Sequence, residues 1–69
     1  MEQIFTDLRL RTIAKCLSQE MELDSDLDSG YMAAIHRTLS FYQAGMLTAE
    51  EFEALVDYLK DRYHGLKNV

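Results

Sequence analysis

The stretch ELDSDLDSGY, Glu22 to Tyr31, sets Asp24, Asp26 and Asp28 at alternate positions just ahead of Gly30. Carboxylates at this spacing open a calcium-binding loop, in which the first, third and fifth positions each offer oxygen to the ion. With Asp24 placed first the three aspartates fit, but such a loop also needs glycine at its sixth position and a bidentate glutamate at its twelfth. Those positions hold Ser29 and Ile35. The converse occurs downstream, where Gly45 and Glu51 fit the sixth and twelfth positions while Ser40, Tyr42 and Ala44 occupy the first, third and fifth. Neither segment supplies the oxygen ligands that calcium takes, so the aspartates are expected to form an acidic joint without a bound metal, Asp28 or Ser29 capping the helix that follows.

Other residues with chemical potential are more scattered. His36 and His64 fall on different helices, and a lone histidine on the polar side of a helix reads as a surface residue. Cys16 has only Lys15 as a basic neighbour and reads as a small packed hydrophobe rather than a nucleophile. Glu50, Glu51, Glu53, Asp57 and Asp61 make a solvated face, since acid–base work also needs a concave pocket that shifts one carboxyl. No triad and no glycine-rich phosphate loop can be assembled, so no catalytic, cofactor-binding or metal-binding residue is assigned. The run LSQEMELD, Leu17 to Asp24, resembles the Ser-Gln-Glu-Leu-Asp motif of small helical-hairpin phosphatases that act on response-regulator aspartyl phosphates. Here Met21 and Glu22 intervene, and two extra residues turn the aspartate about 200° round the helix, away from the face that motif uses.

The elements that must carry these residues are bounded by length and composition. A chain of 69 residues is one small domain, at the size where a single core barely suffices. One cysteine permits neither an internal disulfide nor a cysteine-rich zinc site, and fits a reducing compartment. A hydrophobic fraction of 48% beside 28% charged residues is that of a chain that folds. The opening MEQIFTDLRLRTIAKCL mixes acids and arginines among its apolar residues, so it matches neither a signal peptide nor a membrane span, and the expectation is a soluble, cytoplasmic protein. A net charge of -5 disfavours nucleic acid as a partner. Arg9, Arg11, Lys15 and Arg37 could still form a small basic patch, and an acidic helical surface could equally mimic phosphate.

With no proline and glycines only at positions 30, 45 and 65, the chain reads as three helices. The first spans about 2–22, the second about 30–44 and the third about 49–64. In the third, Thr48 and Glu51 form a capping box, Leu47 and Phe52 a hydrophobic staple, Phe52, Leu55, Val56, Leu59 and Tyr63 a buried stripe, and Gly65 a left-handed cap. In the second, Tyr31, Ile35, Leu39 and Tyr42 line one side, flanked by Met32, Ala34, Thr38 and Phe41. The short connection through Gly45, Met46 and Leu47 folds these two helices into an antiparallel hairpin.

The first helix carries two apolar patches on nearly opposite sides, Ile4, Phe5 and Leu8 against Leu10, Ile13, Ala14, Leu17 and Met21. One hairpin cannot cover both. Either the helix bends near Arg9 or one patch meets another chain, and the latter favours a homo-oligomer, with Ile4, Phe5 and Leu8 as the self-association or partner patch.

Leu39 to Leu59, LSFYQAGMLTAEEFEALVDYL, resembles the short C-terminal (SHOCT) domain through Gly45, Leu47, Thr48, Glu50, Glu51, Phe52 and Leu59. Leu55, Val56 and Asp57 stand where that family commonly has lysines. The resemblance implies a non-enzymatic module for oligomerisation or docking, often bacterial and in stand-alone form associated with mobile elements. The expectation is an all-α adaptor or regulator that binds itself and another protein. The competing expectations are an aspartyl-phosphate phosphatase and a nucleic-acid-linked regulator or acidic inhibitor.

Overall fold

A computed structural model describes residues 8–68 as three helices, α1 (Leu8–Leu23), α2 (Leu27–Gln43) and α3 (Ala49–Lys67), with no strand among the described residues. The fold is all-α, as the helical periodicity predicts. Residues 1–7, with the start expected for the first helix and with Ile4 and Phe5, lie outside the described residues. α2 and α3 pair as an antiparallel hairpin, held level by the stacking of Tyr42 on Phe52 at one end and Tyr31 on Tyr63 at the other. α1 runs back along this hairpin and closes the bundle.

The turn between α2 and α3 follows from its residues. Gly45 has φ 79°, a left-handed conformation that is cheap only without a Cβ, and the amides of Gly45 and Met46 return to the carbonyls of Tyr42 and Phe41 at 3.0 and 2.9 Å. These two bonds satisfy carbonyls that the end of α2 would leave bare. Thr48 then caps α3: its hydroxyl accepts from the Glu51 amide at 3.1 Å, and Glu51 Oε1 accepts from the Thr48 amide at 2.9 Å. Leu47 is buried with Leu10, Ala14 and Leu55, while Phe52 turns toward Tyr42.

The other joint departs from expectation. α2 begins at Leu27 rather than near Gly30, and its N-cap is Asp26, not Asp28 or Ser29. Starting a turn earlier brings Leu27 into the cluster of Leu17, Met21, Ala34 and Leu59. Gly30 is thus inside the helix and buried, and its function is spatial. A Cβ there would stand 2.5 Å from the carbonyl oxygen of Met21 and 2.9 Å from Cβ of Asp24, so the missing side chain lets α1 descend onto α2. The glycine is not a free hinge. At the far end Gly65 is likewise not a cap: α3 runs through it to Lys67 and ends at Asn68 with φ -95°, the extra turn carrying Lys67 to Asp28.

The core is small. Leu10, Ala14, Leu17, Met21, Ala34, Leu47, Leu55 and Leu59 are its buried apolar residues, joined by half-buried Ile13, Phe41 and Tyr58. Leu10, Ala14, Leu17 and Met21 pack on the hairpin of their own chain, so that patch of the first helix is satisfied in cis. Thr38 and Ser18 are the buried polar side chains among the described residues, and each donates its hydroxyl to a carbonyl of its own helix, Ala34 at 2.8 Å and Lys15 at 3.0 Å. Such back-bonding removes the desolvation cost that a bare hydroxyl would carry. α2 is rotated from its expected placement: Gly30, Ala34 and Thr38 lie at the centre of its buried face, while Leu39 and Tyr42 lie toward solvent. Because α2 must touch both neighbours, small residues occupy the line where α1 comes closest.

These placements give the three glycines opposite responses to alanine. Gly45→Ala should cost about 1–2 kcal/mol through its backbone conformation, since nothing lies within 4 Å of a Cβ there. Gly30→Ala should cost about 1–3 kcal/mol through overpacking. Gly65→Ala, in open space on a helix, should stabilise by about 0.5–1 kcal/mol. Urea unfolding followed by circular dichroism reads all three, and a destabilised Gly65→Ala would contradict the continuous α3.

Candidate protein-interaction face

The three aspartates serve local structure in sequence. Asp24 Oδ1 accepts from the amide of Asp26 at 3.0 Å, and Asp26 accepts from the amide of Asp28 at 3.1 Å and the hydroxyl of Ser29 at 3.1 Å. Asp28 turns the other way, accepting from the Tyr63 hydroxyl and, at 3.3 Å, from the Lys67 ammonium, which also donates to Tyr63 at 2.9 Å. Tyr63 in turn stacks on Tyr31 with ring centres 4.3 Å apart. The segment therefore latches the start of α2 to the end of α3. The Tyr63 hydrogen bond, followed by the hydrogen bond and charge of Lys67, holds the Asp28 carboxyl below the usual carboxylate range. The same contacts, Tyr63 first and then Asp28, push the Lys67 ammonium up. Among the described residues no group of three or more His, Cys, Asp or Glu is arranged to hold a metal ion.

The other residues singled out by type are placed apart. His36 and His64 are exposed on α2 and α3 as expected, but Cys16, expected to pack, is exposed on α1 because the buried stripe of that helix runs through Leu10, Ala14, Leu17 and Met21 instead. In the phosphatase-like run, Ser18 is buried, Glu20 is paired with Arg37 at 3.0 Å, and Asp24 lies beyond the end of α1. The four bases that might have formed a patch are divided: Arg9 donates to the Met46 carbonyl at 2.8 Å and to Glu51 Oε2 at 3.0 Å, and Arg37 goes to Glu20, leaving exposed Arg11 and Lys15. Glu51 thus serves two structures at once, the cap of α3 and the clasp of α1. Glu22 and Arg62, 2.7 Å apart, join α1 to α3. These pairs link residues many positions apart and carry no local signature. No helix among the described residues is long and apolar enough to cross a membrane.

What does form a continuous feature is apolar. On α2, Met32, Leu39 and Tyr42 are 56%, 40% and 39% exposed. Their spacing of seven and then three residues keeps them on one side, about 120–200° round from Gly30, where α1 lies. Half-buried Ile35 and the α3 residues Phe52 and Val56 continue this surface across the hairpin. Leu8 is 73% exposed and stands about 150° from the buried stripe of α1, so it faces out on the opposite side of the bundle. The spacing of Met32, Leu39 and Tyr42 is visible in the chain, but it merges there with the buried positions beside it.

Comparison with family models, with curated proteins and with solved structures gives no match.

The latch has a defined pH dependence. A carboxyl whose folded value is depressed contributes stability at neutral pH that is lost as pH falls through that value; a raised ammonium contributes stability that is lost as pH rises through its own. Asp28→Asn should lower the melting temperature at neutral pH. The difference from wild type should shrink in strong acid, where wild-type Asp28 is protonated, and again in strong alkali, where Lys67 is neutral. A difference constant with pH would show that the charges do not act.

Proposed function

We propose that this protein is a small non-enzymatic helical adaptor or regulator, acting through self-association and through binding another protein. The observation that carries the reading is the exposed apolar row Met32, Leu39 and Tyr42 on one side of the bundle, with Leu8 exposed on the other. Among the described residues eight apolar side chains are buried, a small core to which further apolar burial between chains would add. An exposed apolar row on one side, with Leu8 exposed on the other, supports a reading as an adaptor. Leu8, together with Ile4 and Phe5 outside the described residues, is assigned to self-association or to a partner protein. The resemblance of Leu39 to Leu59 to the SHOCT domain agrees with an oligomerising or docking module.

Magnitudes decide what kind of association to expect. Covering the exposed parts of Met32, Leu39 and Tyr42 from two chains is worth about 1 kcal/mol per side chain, or about 6 kcal/mol together. Association itself costs an estimated 4–15 kcal/mol in lost freedom. The balance is narrow, so self-association through this surface should be weak and concentration-dependent.

Size exclusion with light scattering, run over a wide range of concentration, should show mass rising from one chain toward a multiple of it. A strictly monomeric species at the highest concentration would remove self-association from the reading. Release of phosphate from a response regulator labelled by acetyl phosphate, on adding the protein, would instead support the phosphatase alternative.

A further inference from the structure

The methionines of the described residues occupy two different environments. Met21 has no exposed surface and packs with Leu17, Ala34 and Leu59, whereas Met32 and Met46 are 56% and 51% exposed. Met32 is the sulfur-bearing member of the apolar row on α2, with Leu39 and Tyr42 further along the helix. Met46 stands in the turn between α2 and α3, where its amide donates to the Phe41 carbonyl and its own carbonyl accepts from Arg9 at 2.8 Å. Both are main-chain bonds, so neither depends on the Met46 side chain.

An exposed thioether is open to oxidation by a peroxide. One oxygen atom passes to the sulfur lone pair and the rest of the peroxide leaves as water, so sulfur is oxidised and the peroxide reduced. The sulfoxide is polar and accepts hydrogen bonds, which removes the gain that the thioether had from leaving water. At Met21 the new oxygen would have to be buried among Leu17, Ala34 and Leu59, whose side chains offer no donor. A peroxide reaches that sulfur only when the helices part. The fold thus separates a sulfur whose oxidation would undo the core from one whose oxidation alters only the surface.

We propose that Met32 is a redox-sensitive point in the apolar row of α2, where oxidation to the sulfoxide by a peroxide weakens self-association and leaves the bundle folded. This rests on the self-association reading above and adds its regulation. The change is reversible: a methionine sulfoxide reductase returns the thioether, the oxygen leaving as water while two thiols become a disulfide.

Hydrogen peroxide tests this on a Cys16→Ser background, which keeps disulfide-linked pairs out of the measurement because Cys16 is the single cysteine. In dilute protein, mass spectrometry of proteolytic fragments should find Met32 and Met46 oxidised at least about tenfold faster than Met21, with helix content by circular dichroism unchanged. Light scattering over a range of concentration should then show the dissociation constant raised at least about tenfold, and the reductase should restore it. Met32→Leu keeps an apolar side chain without the sulfur, so its association should be indifferent to peroxide. Met46→Leu should respond as its parent does. If Met32→Leu loses association on oxidation as the parent does, Met32 is not the switch. If the parent associates equally before and after complete oxidation of Met32, this proposal is wrong while self-association stands. If the parent is monomeric throughout, both are overturned.

Discussion

Gly30, Ala34 and Thr38 lie one turn apart along α2, and α1 comes down on that line until the carbonyl of Met21 sits 2.5 Å from where a Cβ on Gly30 would be. The rest of the arrangement follows from this approach. A helix that spends the centre of its buried face on small residues has no room there for its larger apolar ones. Leu39, Met32 and Tyr42 are consequently displaced to the side away from α1, while Tyr31 and Ile35 fill the crevice beside α3. Close packing therefore produces both a tight interior and an apolar outer surface, and the second is a cost of the first unless something covers it.

Charge is used sparingly around this frame. Each helix pair has at least one clasp: Glu20 with Arg37, Arg9 with Glu51, Glu22 with Arg62 and Asp28 with Lys67. All four lie at the surface, where solvent and salt screen them, so each adds little stability. Their placement is more informative than their strength. They occupy the sides of the bundle where the described helices meet, while exposed Glu50, Glu53, Asp57, Lys60 and Asp61 of α3 take part in no ion pair with a described residue.

The features legible in the sequence are those encoded by neighbours. Thr48 and Glu51 form the capping box their spacing predicts, and Gly45 adopts the left-handed turn its position before Met46 and Leu47 requires. The buried apolar residues of α1, though not Ser18, are readable in the same way, because apolar side chains at helical spacing mark a core face. Where small residues are the ones that pack, the signal reverses: Gly30 looks like punctuation, and Ala34 and Thr38 look peripheral beside Leu39 and Tyr42. Only the approach of α1 tells the two cases apart, and that is a tertiary fact. The same holds for Asp26 as the cap of α2, since the helix starts early to bury Leu27, and for Gly65, which stays helical while Lys67 reaches Asp28. The apolar surface escaped sequence reasoning for the same reason, its members having been counted as core.

The central claim is that the protein self-associates through this displaced row. Isotope-filtered nuclear Overhauser spectroscopy tests it most directly, on a concentrated mixture of carbon-13-labelled and unlabelled protein that selects contacts between chains. Self-association through this row predicts cross-chain contacts from the methyl groups of Met32 and Leu39. Cross-chain contacts confined to Leu8, with Met32 and Leu39 silent, would contradict it.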